Sequence, residues 1–311
     1  MNNKVVFVDP KEFPPDMAGA DISWDLASSG VPTGSFCDAL EPFKSCGVQL
    51  PVAPAAGSVL LRVMQALYQD RSCLVKPTKS PTNTKDPTYA VLPRKDDAGR
   101  MAFVATWSAT VVEIFDEVLG GDGITRSVPL GYDVQFSPET PASEKDAVTD
   151  TFCDEIQKLG TTEQSQWLVS LVKGTFKGVT MPGGSGHFFI GPNEVSIWRA
   201  LKPVLLKYGL RTYETPAMRS DQLAETVLEG LRQQVNKEAA ELQEDLKKHV
   251  ETVRTGKRTQ ERVLRDRQQK CAATIDRLEH FEKLFDTKLS ELKEATEKLS
   301  NGFMASNIIC M

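Results

Sequence analysis

The chain has 311 residues, about 40% of them apolar, with a formal net charge of −5 and an isoelectric point near 5.5. That length and apolar content supply core for two structural units, while the acidic balance argues against a protein that coats nucleic acid wholesale. No window approaches the roughly 18 consecutive apolar residues of a membrane span, and the apolar run in MNNKVVFVDPKEFPPD is shorter than the roughly 7–15 residues of a secretory core, so the expectation is a cytoplasmic protein with no membrane partner.

Residues 1–56 open with a predicted strand, Lys4–Val8, and continue through Pro-, Gly- and Ser-rich sequence; Pro10, Pro14, Pro15, Pro32, Pro42, Pro51 and Pro54 leave little room for a long helix. Ser58–Gln69 places Val59, Leu60, Val63, Met64 and Leu67 on one helical face. The polar segment 76–88, with three prolines, reads as an exposed loop. Tyr89–Leu92 and Met101–Val112 then read as a β-hairpin turning at Asp97–Gly99. The following stretch to Phe136 fits either an extended strand or a short helix. Ser143–Leu159 and Thr162–Val172 have helical spacing, with Ser143 and Asp146 close to a capping box and Gly160 as the stop of the first.

Residues 183–216 form the clearest local unit. A strand at His187–Ile190 leads through Gly191-Pro192-Asn193 into a helix capped by Asn193, carrying Val195, Trp198, Leu201, Val204, Leu205 and Tyr208 on one face. Gly209 ends it, and Leu210–Thr215 returns as a strand. Pro203 is expected to kink this helix.

From Asp221 to Ser300 proline disappears, glycine occurs only at Gly230 and Gly256, and charged residues with Leu and Ala dominate. Leu264, Cys271, Leu278, Phe285, Leu292 and Leu299 recur at intervals of seven, with Ile275, Phe281, Leu289 and Ala295 as companions. The earlier half repeats less strictly, with seam positions at Leu228, Val235 and Leu242. Both stripes pause at Gly256. An antiparallel hairpin of two arms is therefore the favoured reading over a continuous rod, which a single Gly at about 1 kcal/mol still permits.

The predicted fold is thus an α+β (or α/β) head over 1–218, a helical coiled-coil hairpin over 219–300, and a flexible tail over 301–311. An exposed apolar stripe must be buried on its own chain or another, so the expected partner is a second copy or another protein. Lys247–Lys270 holds nine basic residues against three acidic ones. Arg254, Lys257, Arg258, Arg262 and Arg265 would gather near the hairpin tip, either as a solvated face or as a contact for nucleic acid or an acidic protein.

Catalytic motifs are weak. Pro182-Gly-Gly-Ser-Gly186 lacks the Gly-Lys-Ser/Thr of a phosphate loop and precedes a strand, so Ser185 with His187 reads as a turn rather than a nucleophile and base. Gly120-Gly-Asp-Gly123 likewise reads as a turn. His187, His249 and His280 show no zinc spacing, although Asp245 and Asp276 stand four residues before the latter two, as surface ion pairs would. Trp24, Trp107, Trp167 and Trp198 fall one per element, as core anchors do. The six cysteines are scattered without a Cys-x-x-Cys pair, which points to reduced thiols. No cofactor or metal is expected.

The string GGSGHFFIGPNEVSIWRALKPVLLKYG resembles the Gly-Gly-x-x-Phe-Val-Pro strand–helix unit of a family of uncharacterised phage, plasmid and prokaryotic proteins that continue into a long charged helical tail. Gly183, Gly184, Phe188, Phe189, Ile190 and Pro192 carry the likeness, which covers about a third of the chain. It implies a viral or mobile-element setting, with no activity attached. The leading expectation is a non-enzymatic scaffold or interaction protein. A nucleic-acid-associated protein using the basic tip and an enzyme with an unrecognised site in the head are the alternatives.

Overall fold

A computed structural model of the chain describes residues 13–68, 73–78, 87–93, 105–119, 125–182, 186–254 and 261–308. The expected strand Lys4–Val8 and the turns at 97–99 and 120–123 lie outside them. The chain mixes helices with sheets and groups into two compact units. One contains Ala27–Asp38 and Pro51–Gln164; the other contains Met1–Leu26, Ala39–Leu50 and Ser165–Met311.

The first of these units is built on an antiparallel sheet ordered β3 (Cys73–Thr78), β4 (Thr88–Pro93), β5 (Trp107–Leu119) and β6 (Thr125–Phe136). The segment that fits either helix or strand in the sequence is the long β5–β6 pair, bulged between Ile114 and Phe115. Lys76–Thr78 and Thr88 belong to paired strands rather than to a loop. Alternate residues Tyr89 and Val91 on β4, and Trp107, Ala109 and Val111 on β5, form one buried face. Two helices cover it: α2 (Ala56–Tyr68) with Val59, Leu60, Val63 and Met64, and α3 (Ala142–Glu155) with Val148 and Phe152.

Helix α3 departs from expectation at both ends. Pro141 occupies its N-cap without any side-chain cap, and it stops at Glu155. Lys158–Leu159 instead forms a short strand, β7, that pairs with β2 (Val31–Pro32) ahead of α1 (Thr33–Leu40). Gly160 therefore terminates no helix; it lies beside the Arg62–Glu163 ion pair, whose side-chain ends a Cβ there would displace.

The other unit has a sheet ordered β10 (Arg211–Met218), β1 (Met17–Asp25), β9 (Phe188–Ile190) and β8 (Val179–Thr180), with each neighbouring pair antiparallel. Strands β9 and β10 with α5 (Pro192–Lys207) make the β-α-β unit read from sequence, but β1 lies between its two strands. Gly191 rather than Asn193 is the N-cap, with Pro192 in the first turn, where its missing N–H costs nothing. The helix runs unbroken through Pro203, and Gly209 follows it at φ 82°.

Successive side chains of β9 point to opposite faces. Phe188 stacks on Trp24 at 5.2 Å between ring centroids, on the side where Trp198 of α5 is buried. Phe189 meets Phe281 and Phe285 at 6.3 and 6.1 Å on the other side. Those two belong to α7 (Glu261–Phe285), which with α6 (Asp221–Arg254) and α8 (Ser290–Ile308) makes up the C-terminal helices. α6 closes on the sheet at Gly230, where a Cβ would lie 2.7 Å from the Thr180 carbonyl oxygen. The C-terminal helices are thus grouped with this sheet in one compact unit.

The seven-residue repeat spans a break. The chain leaves α7 at Asp286, whose φ is 49°, and restarts at Ser290. Glu282 holds the turn: its carboxylate accepts the Leu289 N–H at 2.6 Å and pairs with Lys293 at 3.2 Å. The phase shifts across the break, so Thr296 is buried and Ala295 exposed, and α8 continues through 301–308 with Phe303 only 1% exposed. Among the described residues, no helix is long and apolar enough to cross a membrane.

Candidate functional site

The seam residues all point into this unit. Leu228, Val235 and Leu278 join Phe189, Val179 and Ala18 in one cluster, with Phe285 and Leu292 packed against it. Leu242, Leu264 and Cys271 join Phe303, flanked by Leu299. At the expected basic tip, Lys257 and Arg258 lie outside the described residues, as do the side chains of Arg254 and Arg262; Arg265 is exposed. Ser185 also lies outside them, while His187 is exposed, with Nδ1 3.4 Å from Asp21. Among the described residues, Asp245 and Asp276 make their ion pairs with other cations than the histidines four positions on. Asp245 bonds Arg267 at 2.8 Å, Asp276 bonds Lys177 at 2.7 Å, and His280 faces Glu194 at 3.9 Å.

A cleft of about 530 Å³ lies between the C-terminal helices and the end of α4 (Thr161–Ser170) with the segment that follows it. That volume is within the ordinary range of ligand pockets. One wall is a π-helical turn, Leu171–Thr175, a geometry that recurs at functional sites, and it supplies Lys173 and Gly174. Next to it stands Lys177, in the left-handed region at φ 53°. The opposing walls come from α6, through Glu238 and Glu241, and from α7, through Lys270, Thr274 and Arg277.

The base of the cleft is tied together across helices. The Arg277 guanidinium donates from Nη2 to the Glu238 carboxylate, and Thr274 Oγ1 donates to the same oxygen at 3.1 Å. Arg277 is only 5% exposed, and its Nε is buried with no acceptor. Such a group is costly to leave unpaired once its partner is removed, so this pair fixes the wall. Lys173, Lys270 and Glu241, by contrast, form no ion pair among the described residues. Burial holds the Lys173 amine below its usual range; Glu238 and Glu241 oppose that shift, while Arg277 and Lys237 reinforce it. Its Nζ lies over the Phe188 ring, 6.0 Å from the centroid. The cleft therefore presents charges of both signs that are not engaged in ion pairs among the described residues, Lys173 half-buried and Glu241 and Lys270 exposed. Among the described residues no cluster of His, Cys, Asp or Glu could hold a metal ion.

The chain matches no family model, no curated protein and no solved structure.

The sequence points to Leu242, Asp245, Asp276 and Lys270 only as seam, Asp–His and basic-run residues, and to none of the other cleft residues, because the walls come from segments far apart in the chain. One local signal exists. Thr274, not Ile275, is the buried companion between Cys271 and Leu278, so a polar residue sits on the apolar stripe where the cleft begins.

His280 carries a pH dependence. Burial lowers its pKa, with Glu194 and Asp276 opposing and Lys177 and Lys283 assisting. The unfolded chain then binds its proton at higher pH than the folded one does. Stability from this residue is present above the ordinary imidazole pKa of about 6.5 and falls as pH drops from there toward the folded value. In urea titrations at successive pH values, wild type is expected to lose stability more steeply below about pH 6.5 than His280→Gln. Parallel curves would show that His280 contributes nothing to the pH dependence.

Proposed function

We propose that this chain is a non-enzymatic interaction protein. In this reading α6 and α7 form an antiparallel coiled-coil hairpin that braces the chain's own sheet, and the charged cleft beside them receives a segment of a protein partner. The observation that carries the reading is a set of cleft charges that make no ion pair among the described residues: Lys173, Lys270 and Glu241 line a volume of about 530 Å³ in which their charged neighbours are already paired. Support for the hairpin comes from cross-helix pairs whose numbering runs in opposite directions, Glu238 with Arg277 and Asp245 with Arg267. Since Leu278 and Cys271 are fully buried within one chain, self-association through the seam would require opening it.

The test is capture by the immobilised full chain, run beside a triple variant, Lys173→Glu with Glu241→Lys and Lys270→Glu. Circular dichroism and solution mass should match between the two. A protein retained by the wild type and lost with the variant supports the cleft as the docking site. Equal retention by both would place the contact elsewhere.

A further inference from the structure

We infer that the segment received by the cleft is the C-terminus of a partner protein ending in lysine or arginine, an assignment that rests on the interaction reading above. Three features select this chemistry. First, the free charges are of opposite sign on different walls: Lys173 on the π-helical turn and Lys270 on α7 are cationic, and Glu241 on α6 is anionic. A ligand bearing charges of both signs can pair with both kinds of wall, whereas a ligand bearing only one charge meets a like charge on one of them. Second, the Lys173 ammonium is half-buried with no carboxylate within ion-pair distance among the described residues, over an aromatic ring at 6.0 Å. It lacks a compact anion, and a terminal carboxylate is the smallest that a polypeptide carries. A carboxylate docked there favours the charged form that burial disfavours.

Third, a terminal basic residue holds its carboxylate and its side-chain cation on one Cα, separated by a stem that can lie along apolar wall. Val169, Leu242 and Ala273 supply such wall among the cleft's lining residues. A chain end also brings in a single flank of backbone, so fewer peptide groups need new partners than for a segment threading through. Arg277 and Thr274 keep their bonds to Glu238 throughout and hold the α6 and α7 walls in place rather than contacting the ligand.

The experiment uses the full-length protein and fluorescent hexapeptides of neutral sequence, read by anisotropy. The peptides end in lysine with a free carboxylate, in lysine with a carboxamide, in norleucine with a free carboxylate, or in glutamate. The lysine acid is expected to bind at least tenfold more tightly than the other three, and added salt is expected to weaken it. Lys173→Met should abolish the preference for acid over amide while leaving lysine over norleucine. Glu241→Gln should do the reverse. Equal binding of acid and amide, or preferences unchanged in both variants, overturns the proposal. So does free lysine displacing the peptide at its own affinity, which would mark a small-ligand site. If no peptide binds while partner capture remains sensitive to the triple charge swap, the terminus falls and the cleft reading stands. If capture is also insensitive to the swap, both fall.

Discussion

Leu278→Asp is expected to remove at least about 4 kcal/mol of stability and to leave the unit containing the C-terminal helices largely unfolded. Leu278 is 0% exposed and belongs to the cluster that joins α6 and α7 to β8 and β9. Truncating such a leucine to alanine alone costs about 2–5 kcal/mol through lost transfer energy and the cavity left behind. An aspartate adds a carboxylate that must either stay charged without a partner or take up a proton, and both are unfavourable. The outcome also separates two origins for the seam. If it closes within one chain, urea unfolding followed by circular dichroism gives the same loss at protein concentrations a hundredfold apart. If it closes between chains, the apparent loss depends on concentration through mass action. A loss below about 1 kcal/mol would remove Leu278 from the core altogether.

Elements whose pattern is local were readable from the residues. Helix α2, the strand–helix–strand run through β9, α5 and β10, and the long helix from Asp221 all carry strong periodicity or a glycine stop. Strand β1 was not readable. Met17–Asp25 contains two alanines, a glycine and two aspartates, and its first four residues are all buried rather than alternate ones, because α5 covers one face of its sheet and α6 and α7 the other. Its insertion between β9 and β10 is a pairing across more than 160 residues, which no window of sequence records. Gly19 marks the place in retrospect: at the bulge in β1, a Cβ would approach the Ile190 carbonyl oxygen to 2.1 Å.

The break after α7 escaped for a different reason. Leu278, Phe285 and Leu292 keep a seven-residue spacing straight through it, and neither Gly nor Pro punctuates residues 286–289. Aspartate can adopt the left-handed region without glycine, so the turn at Asp286 leaves little trace in the sequence. The same long-range folding hides the cleft. Lys173 and Arg277 are more than 100 positions apart, and each alone reads as an ordinary surface charge.

Trp198 gives the second large effect and the sharper contrast. Trp198→Ala is expected to cost about 3–5 kcal/mol, the range for emptying a large aromatic site. Its ring is fully buried, edge-on to Phe176 at 6.3 Å between centroids and tilted against Trp24 at the same distance, and neither neighbour can refill the space without leaving its own packing. Trp198→Phe is expected to cost much less than its lost volume alone implies. The indole Nε1 is buried without an acceptor, so the wild type already bears the penalty of a desolvated donor that phenylalanine does not have. Calorimetric melting of the two variants beside wild type checks both statements. Phenylalanine costing as much as alanine would mean that the indole N–H has a partner, such as an ordered water, and that the site is polar at its base. Alanine costing little would mean that α5 can move inward over β1, and that the sheet rather than the helix sets the geometry of this face.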